Sequence, residues 1–446
     1  MSRIEQIVFA PLRSTGKWFW VVFTMLSALT AWGIYAYYVQ ITEGLGVTGL
    51  NRPVYWGIYL TNFVFFIGIS HAGTLISAIL RVTNANWRRS ITRIAEAVTV
   101  FALCVGGLQI LIDMGRPERV LNVILYGRYQ SPFLWDFTCI SIYLFSSITY
   151  LYLPMIPDMA RLRDKFEGAG WRKWLYTTLA LGWRGNHTQM HRLEKAIAVL
   201  AIAIIPIAVS VHTVVSWIFG MTLQPMWHST ILGPYFVVGA IFSGIATLFL
   251  AMALMRKIMH LEEWLTDKQF NYLGILLLVM SVLWTYFTFS EYMTTFYGAL
   301  ADEMPVVNAK LFGEFNWAFW TMVLFNGIIP FVILIRRSGR TVMGTVIASI
   351  FIDIGMWLER FTIVAPSLTK PRLSQWAIYQ PTWVEASITI GSLAMFALLF
   401  VVFFKLFPSL AIWEVEEGIE IEERKRLAEK IKLDDLRAAG GATVGE

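Results

Sequence analysis

Residues 111–136 read LIDMGRPERVLNVILYGRYQSPFLWD, and they join two long apolar runs. Each run carries one carboxylate at the end nearest the connector. Asp113 closes the first run, and Asp136 sits four residues after the Pro132 that opens the second. If both runs cross a membrane, the two acids lie at similar depth, just inside the same face. An ionisable group there is expensive to keep, which makes a functional role the default reading. Arg116, Arg119 and Arg128 lie between the acids. Two roles are open to them: neutralising the carboxylates, or gathering an acidic edge of a partner. The plainer reading is a pair of helix-end acids matched to loop arginines.

The composition around that stretch excludes a soluble protein. The chain has 446 residues, of which 57% are hydrophobic and only 15% charged, and its mean hydropathy is +0.60. Its 19 Trp and 17 Tyr suit the interfacial belts of many spans. Ten apolar runs are long enough to cross a hydrocarbon core of about 30 Å. They cover 18–39, 54–80, 92–113, 133–156, 195–219, 231–255, 270–293, 313–335, 342–364 and 386–408. The expected fold is therefore an all-α integral membrane protein of ten transmembrane helices. Spans 2–5 and 6–9 would form two four-helix bundles, flanked by spans 1 and 10. Glycines at 57, 68, 73, 106, 107, 239 and 244 would allow close helix packing.

Charge sets the orientation. With the N-terminus inside, the N-terminal segment and inner loops, with Arg93 and Lys195 at the adjoining span ends, hold 21 Lys and Arg, and the outer loops hold seven. Both termini are then cytoplasmic, and the 114–131 connector is periplasmic. The chain divides into an N-terminal segment (1–17), the membrane domain (18–408) and a cytoplasmic amphipathic tail (409–446). No cleaved signal peptide is expected. The inner loop 157–194 is basic and rich in Trp and Arg, as a segment lying on anionic lipid headgroups would be. Residues 411–438 read as a charged helix, solvated or interfacial. The net charge of +6 needs no nucleic acid to explain it. Cys104 and Cys139 both fall in apolar runs, and there is no CxxCH motif or cysteine set for an iron–sulfur cluster. Electrons handled by this chain must travel on a diffusible cofactor or on a partner.

Several polar residues fall at membrane depth. Asn62 and His71 lie on span 2, Glu96 and Gln109 on span 3, His212 on span 5 and Glu291 on span 7. Span 9 holds Asp353 near mid-membrane, with Glu359 and Arg360 further out. A lone buried histidine such as His212 reads as a satisfied interhelical hydrogen bond. Glu359 and Arg360 read equally as interface anchors or as an ion pair. Asp353, Glu96 and His71 are graded along the membrane normal and make a candidate proton relay. A metal site finds little support: only His187 and His191 have i,i+4 spacing, in a cytoplasmic loop with no acidic third ligand before Glu194.

Taken together, ISHAGTLISAIL (69–80), MGRP (114–117), SPFLWD (131–136), HTVVSW (212–217), WHSTILGPYFVVGAIFSG (227–244), IGMWLERF (354–361) and YQPTWVE (379–385) resemble the NrfD/PsrC-type membrane subunits. Ten spans and the ending LFPSLAIWEVE resemble most the subunit pair of alternative complex III, the ActC type more than the ActF type. That resemblance implies a quinol-binding subunit in the bacterial inner membrane, with menaquinol as the expected quinol and no haem or iron–sulfur cluster of its own. It implies a periplasmic iron–sulfur, molybdopterin-like partner, multihaem cytochrome c subunits and a second NrfD-like membrane subunit. It also implies oxidoreductase activity only within that complex. Asp136 matches the family's quinol-facing acid. Asp113 falls where many ActC-type relatives carry His, and Arg116 is the arginine of MGRP. Asp113 and Asp136 are thus the expected proton acceptors, with Arg116, Gln109 and Asn62 around the quinol. The relay is expected to use His71, Glu96, Asp353 and Arg360. Two other readings stay open: a proton channel or transporter without redox chemistry, and a structural anchor.

Overall fold

The computed structural model describes residues 3–165 and 170–441, with side chains as far as Lys430 except Lys425. Residues 1–2 and 442–446 of the two terminal segments, and 166–169 of the inner loop, lie outside the described residues. Among the described residues, ten helices are long and apolar enough to span a bilayer. They are α1 (Lys17–Glu43), α2 (Ile58–Val82), α3 (Thr92–Asp113), α4 (Pro132–Tyr152), α5 (His187–Gly220), α6 (Leu232–Ile258), α7 (Asp267–Gly298), α8 (Asn316–Leu334), α9 (Val342–Thr369) and α10 (Trp383–Leu406). The chain is a multi-pass, all-α integral membrane protein. Its connector side carries residues 114–131; its terminus side carries both chain ends.

Local signals explain where the helices begin. Pro132 takes the first turn of α4, where its missing N–H costs nothing. Thr266 with Gln269, and Thr382 with Glu385, form capping boxes that open α7 and α10. Asn186 caps α5 by accepting from the Gln189 N–H. α3 ends shortly before Gly115, whose φ of +65° suits glycine and would strain a side chain there. α8 contains a π-helical turn at Leu324–Ile328, just before Pro330.

Packing divides the spans as the sequence indicates. α2, α3, α4 and α5 close one four-helix bundle, and α6, α7, α8 and α9 close another. α2 and α6 lie between them. A Cβ on Gly244 of α6 would stand 2.4 Å from Ala72 Cβ of α2, and one on Gly73 of α2 would stand 2.0 Å from Ala95 O of α3. Those backbones approach as closely as they do only because glycine is there. Gly107, by contrast, has nothing within 4 Å of its Cβ position, so packing does not account for it. α1 and α10 pair outside the bundles, touching at Gly33 and Gly391.

The terminus side departs from expectation in two places. The inner loop is largely helical, at Ile156–Lys165 and Gly170–Leu179, and His187 and His191 belong to the first turns of α5. The tail helix Ile412–Gly441 is not solvated at its start: Leu410, Ile412, Trp413 and Glu414 are buried. Glu414 pairs with Arg81 and with Arg88, the latter at 2.9 Å. Its backbone carbonyl accepts from Arg89, 2.7 Å away. Asp158 pairs with Arg93 at 2.7 Å and accepts from the Ile412 N–H. Arg93 also donates to the carbonyls of Leu410 and Pro154. Burial alone would raise a carboxyl group, yet the two guanidiniums outweigh it and hold Glu414 below the usual carboxylate range. The segment LFPSLAIWEVE is therefore the lock that fastens the tail to α2 and α3.

Candidate functional site

On the connector side of the first bundle lies an apolar cleft of about 800 Å3, counting its open mouth. Its walls include Trp56, Leu60 and Phe63 before and in α2, Val215 and Phe219 of α5, and Val120 and Val123 of the connector. The connector thus roofs the cleft as well as linking two spans. Three polar side chains line it: Gln109, Asp113 and Asp136. One carboxylate oxygen of each acid is buried with no hydrogen-bond partner. The plainer sequence reading fails here. Among the described residues no ion pair or hydrogen bond joins either acid to Arg116, Arg119 or Arg128, and all three arginines are exposed. Two unpaired carboxylates facing an apolar space are a pair of bases without a proton source, apart from whatever enters the cleft.

The other expected quinol contacts divide. Gln109 lines the cleft, but its amide is tied outward, donating to Ser392 Oγ of α10 at 2.8 Å. Asn62 lies outside the cleft lining. Its Nδ2 donates to Thr389 Oγ1 at 2.8 Å, and its Oδ1 accepts from Trp357 Nε1 at 2.9 Å. Asn62 therefore uses its polar atoms to join α2 to α10 and α9. Arg116 is exposed above the cleft.

Deeper in the first bundle, α2 carries Ser70, Thr74 and Ser77 on one stripe, spaced by four and three residues. Ser77 donates to Glu96 Oε1 at 2.9 Å and lies 3.5 Å from Tyr150 OH. Thr99 Oγ1 accepts from the Thr74 N–H and donates to Ser70 O. Tyr143 OH also donates to Ser70 O, at 3.0 Å. His71 follows Ser70; its Nδ1 is 2.7 Å from Ile67 O and its Nε2 is 2.6 Å from Ala208 O. A neutral imidazole has one N–H, so both contacts are hydrogen bonds only when the ring carries a second proton. Glu96 with Ser77 and Tyr150, and Ser70 and Thr74 with Thr99 and Tyr143 beside His71, are thus two polar clusters on one stripe of α2, and among the described residues no hydrogen bond joins them. Tyr143, Tyr150 and Thr99 belong to these clusters, and the order of the chain does not single them out. The hydroxyl stripe on α2 is their one visible signal.

His212 is not the satisfied histidine that its isolation in the sequence implies. Its ring centroid lies 4.0 Å from that of His71, and neither of its nitrogens has a partner. Arg360 pairs with Glu359 at 2.7 Å, lies over the Phe236 ring, and would meet a Cβ on Gly239 at 2.6 Å. Glu359 also accepts from Trp284 Nε1 at 3.0 Å. The pair is buried, so the anchor reading gives way to the ion-pair reading. Asp353 stands apart: it accepts from Thr247 Oγ1 at 3.2 Å, between α9 and α6. Among the described residues no hydrogen bond carries on from it toward His71 or Glu96.

The second bundle has its own connector-side cavity, lined by Glu291, Tyr292 and Lys310 among others. Trp227 also lines it, and its ring stacks on Trp56 of the first cleft, with centroids 6.2 Å apart. The buried Lys310, on the short helix Met304–Leu311 between α7 and α8, is pushed down to about 8 by burial, against the pull of Glu291. Among the described residues no group of three or more metal-ligating side chains occurs.

Comparison with known proteins agrees with this architecture. Residues 46–371 match the family described as polysulphide reductase, NrfD. A selenate reductase subunit of Mesobacillus selenatarsenatis is 26% identical, covering 86% of this chain and 93% of its own length. The Hdr-like menaquinol oxidoreductase integral membrane subunit of Archaeoglobus fulgidus is 25% identical over 93% of this chain and 99% of its own. The menaquinone reductase integral membrane subunit of Nitratidesulfovibrio vulgaris is 23% identical, over 87% and 91%.

Proposed function

We propose that this chain, which belongs to the polysulphide reductase NrfD family, binds quinol in the Asp113–Asp136 cleft as the membrane subunit of a multi-subunit oxidoreductase. The observation that carries the proposal is the pair of buried, unpaired carboxylate oxygens in one apolar cleft. A hydroquinone ring needs apolar walls, and its two hydroxyls need acceptors. Both are provided. Oxidising a quinol releases two electrons and two protons. Asp113 and Asp136 accept the hydroxyl hydrogen bonds and then the protons, which requires that both be ionised when the quinol arrives. Aspartate at 113, in place of histidine, makes that step depend on an ionised carboxylate alone. The apolar roof of Val120 and Val123 keeps bulk water from competing for the same oxygens.

The electrons leave through a partner. Above the cleft the connector exposes Leu121, Ile124, Leu125, Tyr126 and Tyr129, interleaved with the exposed Arg116, Arg119 and Arg128. An apolar patch with arginines suits an iron–sulfur protein with an acidic edge docked directly over the quinol. The Lys and Arg asymmetry supports a periplasmic position for this side, with both termini in the cytoplasm of a bacterial inner membrane. Menaquinol, the quinol of the Archaeoglobus relative's name, is the proposed substrate. An ActC-like place in an alternative complex III, beside multihaem cytochromes c and a second NrfD-like protein, is the proposed setting. The polar clusters around Glu96 and around His71 and His212, with Arg360 on the neighbouring α9, support proton transfer from the terminus side. They equally support a second reading, a proton-conducting protein without quinone chemistry.

Purification of the complex in mild detergent, followed by quinone extraction and identification of its subunits, separates the two readings. Bound menaquinone and a co-purifying iron–sulfur protein are expected. A complex that holds no quinone, and is not labelled by a photoreactive quinol analogue, overturns the first reading.

A further inference from the structure

The second connector-side cavity presents the same kind of unsatisfied chemistry as the first, with charges of both signs. Glu291, near the end of α7, is 8% exposed, and its Oε2 is buried without a hydrogen-bond partner. Lys310 is 4% exposed. Its Nζ has no carboxylate within 4.0 Å among the described residues. Its contacts are the Met226 thioether at 3.7 Å and the face of the Tyr292 ring at 5.8 Å. A buried ammonium and a buried carboxylate that face one cavity without touching are each expensive. A direct ion pair between them would have relieved both. The cavity itself is small, about 30 Å3, room for a hydroxyl and not for a ring. Beside it a wide apolar groove of about 1,540 Å3, counting its open side, runs between α7 and α8. Tyr292 borders both spaces, and Leu311, the neighbour of Lys310, lines the groove. The groove passes the π-helical turn of α8, where Gly327 lies close against Thr285 of α7, 3.2 Å from where its Cβ would be.

We propose that this cavity and groove form a second binding site for an isoprenoid quinol, with one hydroxyl of the head group set between Glu291 and Lys310 and the tail lying along α7 and α8. A hydroxyl is the group that fits, because it donates to the carboxylate and accepts from the ammonium at once. A lipid phosphate accepts only, and it would meet the Glu291 carboxylate with like charge. A simple apolar chain would leave both side chains as unsatisfied as they are now. The site is one of binding; no oxidation is assigned to it. The stack of Trp56 on Trp227 places it directly behind the wall of the Asp113–Asp136 cleft.

The proposal rests on quinol being a ligand of this chain, and the experiment keeps the two claims separate. The intact complex, in native membranes, is photolabelled with an azido-naphthoquinol bearing a short prenyl tail, and the labelled peptides are mapped. Label is expected in two places: near Phe133–Phe137, and between Tyr286 and Trp320. Lys310→Met and Glu291→Gln should each lower the second labelling about tenfold, the cost of one charged hydrogen bond, and leave the first unchanged. Val332→Trp fills the groove from its lipid face, without touching the buried pair, and should abolish the second labelling in a normally assembled complex. Label at the first site alone overturns this proposal and leaves the first reading standing. Label at neither site overturns both. Loss of a bound phospholipid, rather than of quinol label, in the Val332→Trp complex assigns the groove to lipid and also overturns the proposal.

Discussion

Asp136 and Glu414 are both buried carboxylates, at opposite ends of the same helix bundle, 6% and 0% exposed. Glu414 is surrounded by guanidiniums: Arg81 and Arg88 reach its oxygens, and Arg89 holds its backbone. Asp136 has an oxygen with no partner at all, in a cleft that opens outward. Burial is therefore not what separates structural from functional acids here. The separation lies in whether the fold supplies the counter-charge. Where it does, the acid fixes the tail helix; where it does not, the acid is left without a partner, which is the state the proposed quinol site requires. Removing the charge should accordingly cost activity at one end and stability at the other.

The largest effect is expected at Asp136. Asp136→Asn keeps the side chain's size and removes the base, so quinol oxidation in the assembled complex should fall by about 100-fold or more. Near-normal turnover in a purified, fully assembled Asp136→Asn complex would break the comparison at its first term. Asp113→Asn should fall by about tenfold or more. Asp113→His should retain more activity than Asp113→Asn, because an imidazole accepts the same proton. Equal loss in both would mean that Asp113 is not a proton acceptor.

Glu414→Gln sharpens the other term. Two arginines lose a buried counter-charge, so the tail helix should detach at a cost of about 3–5 kcal/mol, with turnover per assembled complex kept. Limited proteolysis between Leu410 and Glu420 reads the detachment; a tail as resistant as the wild type's would show that the lock is elsewhere. The same pair sets a pH dependence. Glu414 titrates lower in the fold than in the unfolded chain, so its stabilisation is complete above the ordinary glutamate range, near ~4.3. It is lost as pH falls through the lower folded value, and protease access to the tail should rise there. The smallest effect is expected at Asp353, whose polar contact is Thr247. Asp353→Asn should leave quinol turnover within about twofold, within the spread of ordinary substitutions away from the site. If Asp353 serves a coupled proton path, the proton-to-electron ratio in proteoliposomes should drop. An unchanged ratio removes it from the path.

Much of the architecture is readable in the sequence because a bilayer allows few solutions. Apolar run length locates all ten spans, and the helices overshoot the runs mainly where polar ends continue them, as at His187 on α5. Asp113 and Asp136 are readable too, since each sits at the end of a run that faces the same connector. Their lack of partners is not, because nothing in a chain's order tells whether Arg116 bends back toward an acid or away from it. Asn62 misleads for the same reason. Its depth is evident, but Thr389 and Trp357, about 300 residues further on, take its polar atoms. His212 errs the other way, since its nearest ring belongs to His71, on a helix three spans earlier. The tail misleads because its charges alternate regularly. The residues that dock it, Ile412 to Glu414, are a short apolar-acidic break at the start of that pattern.

The pairing of α1 with α10 bears on how such a chain is made. Of α1 only Gly33, Ala36 and Gln40 are buried, and its main partner is the last span. During synthesis the first helix enters the bilayer some 350 residues before the helix it will pack against. Through that interval it must be stable in lipid alone, which an apolar surface on every side permits. The contact at Gly33 and Gly391 then closes late, and a side chain on either glycine would meet the opposite backbone within 3 Å. The seam that joins the two ends of the chain is thus a record of the finished insertion: it exists only once every intervening span has been threaded.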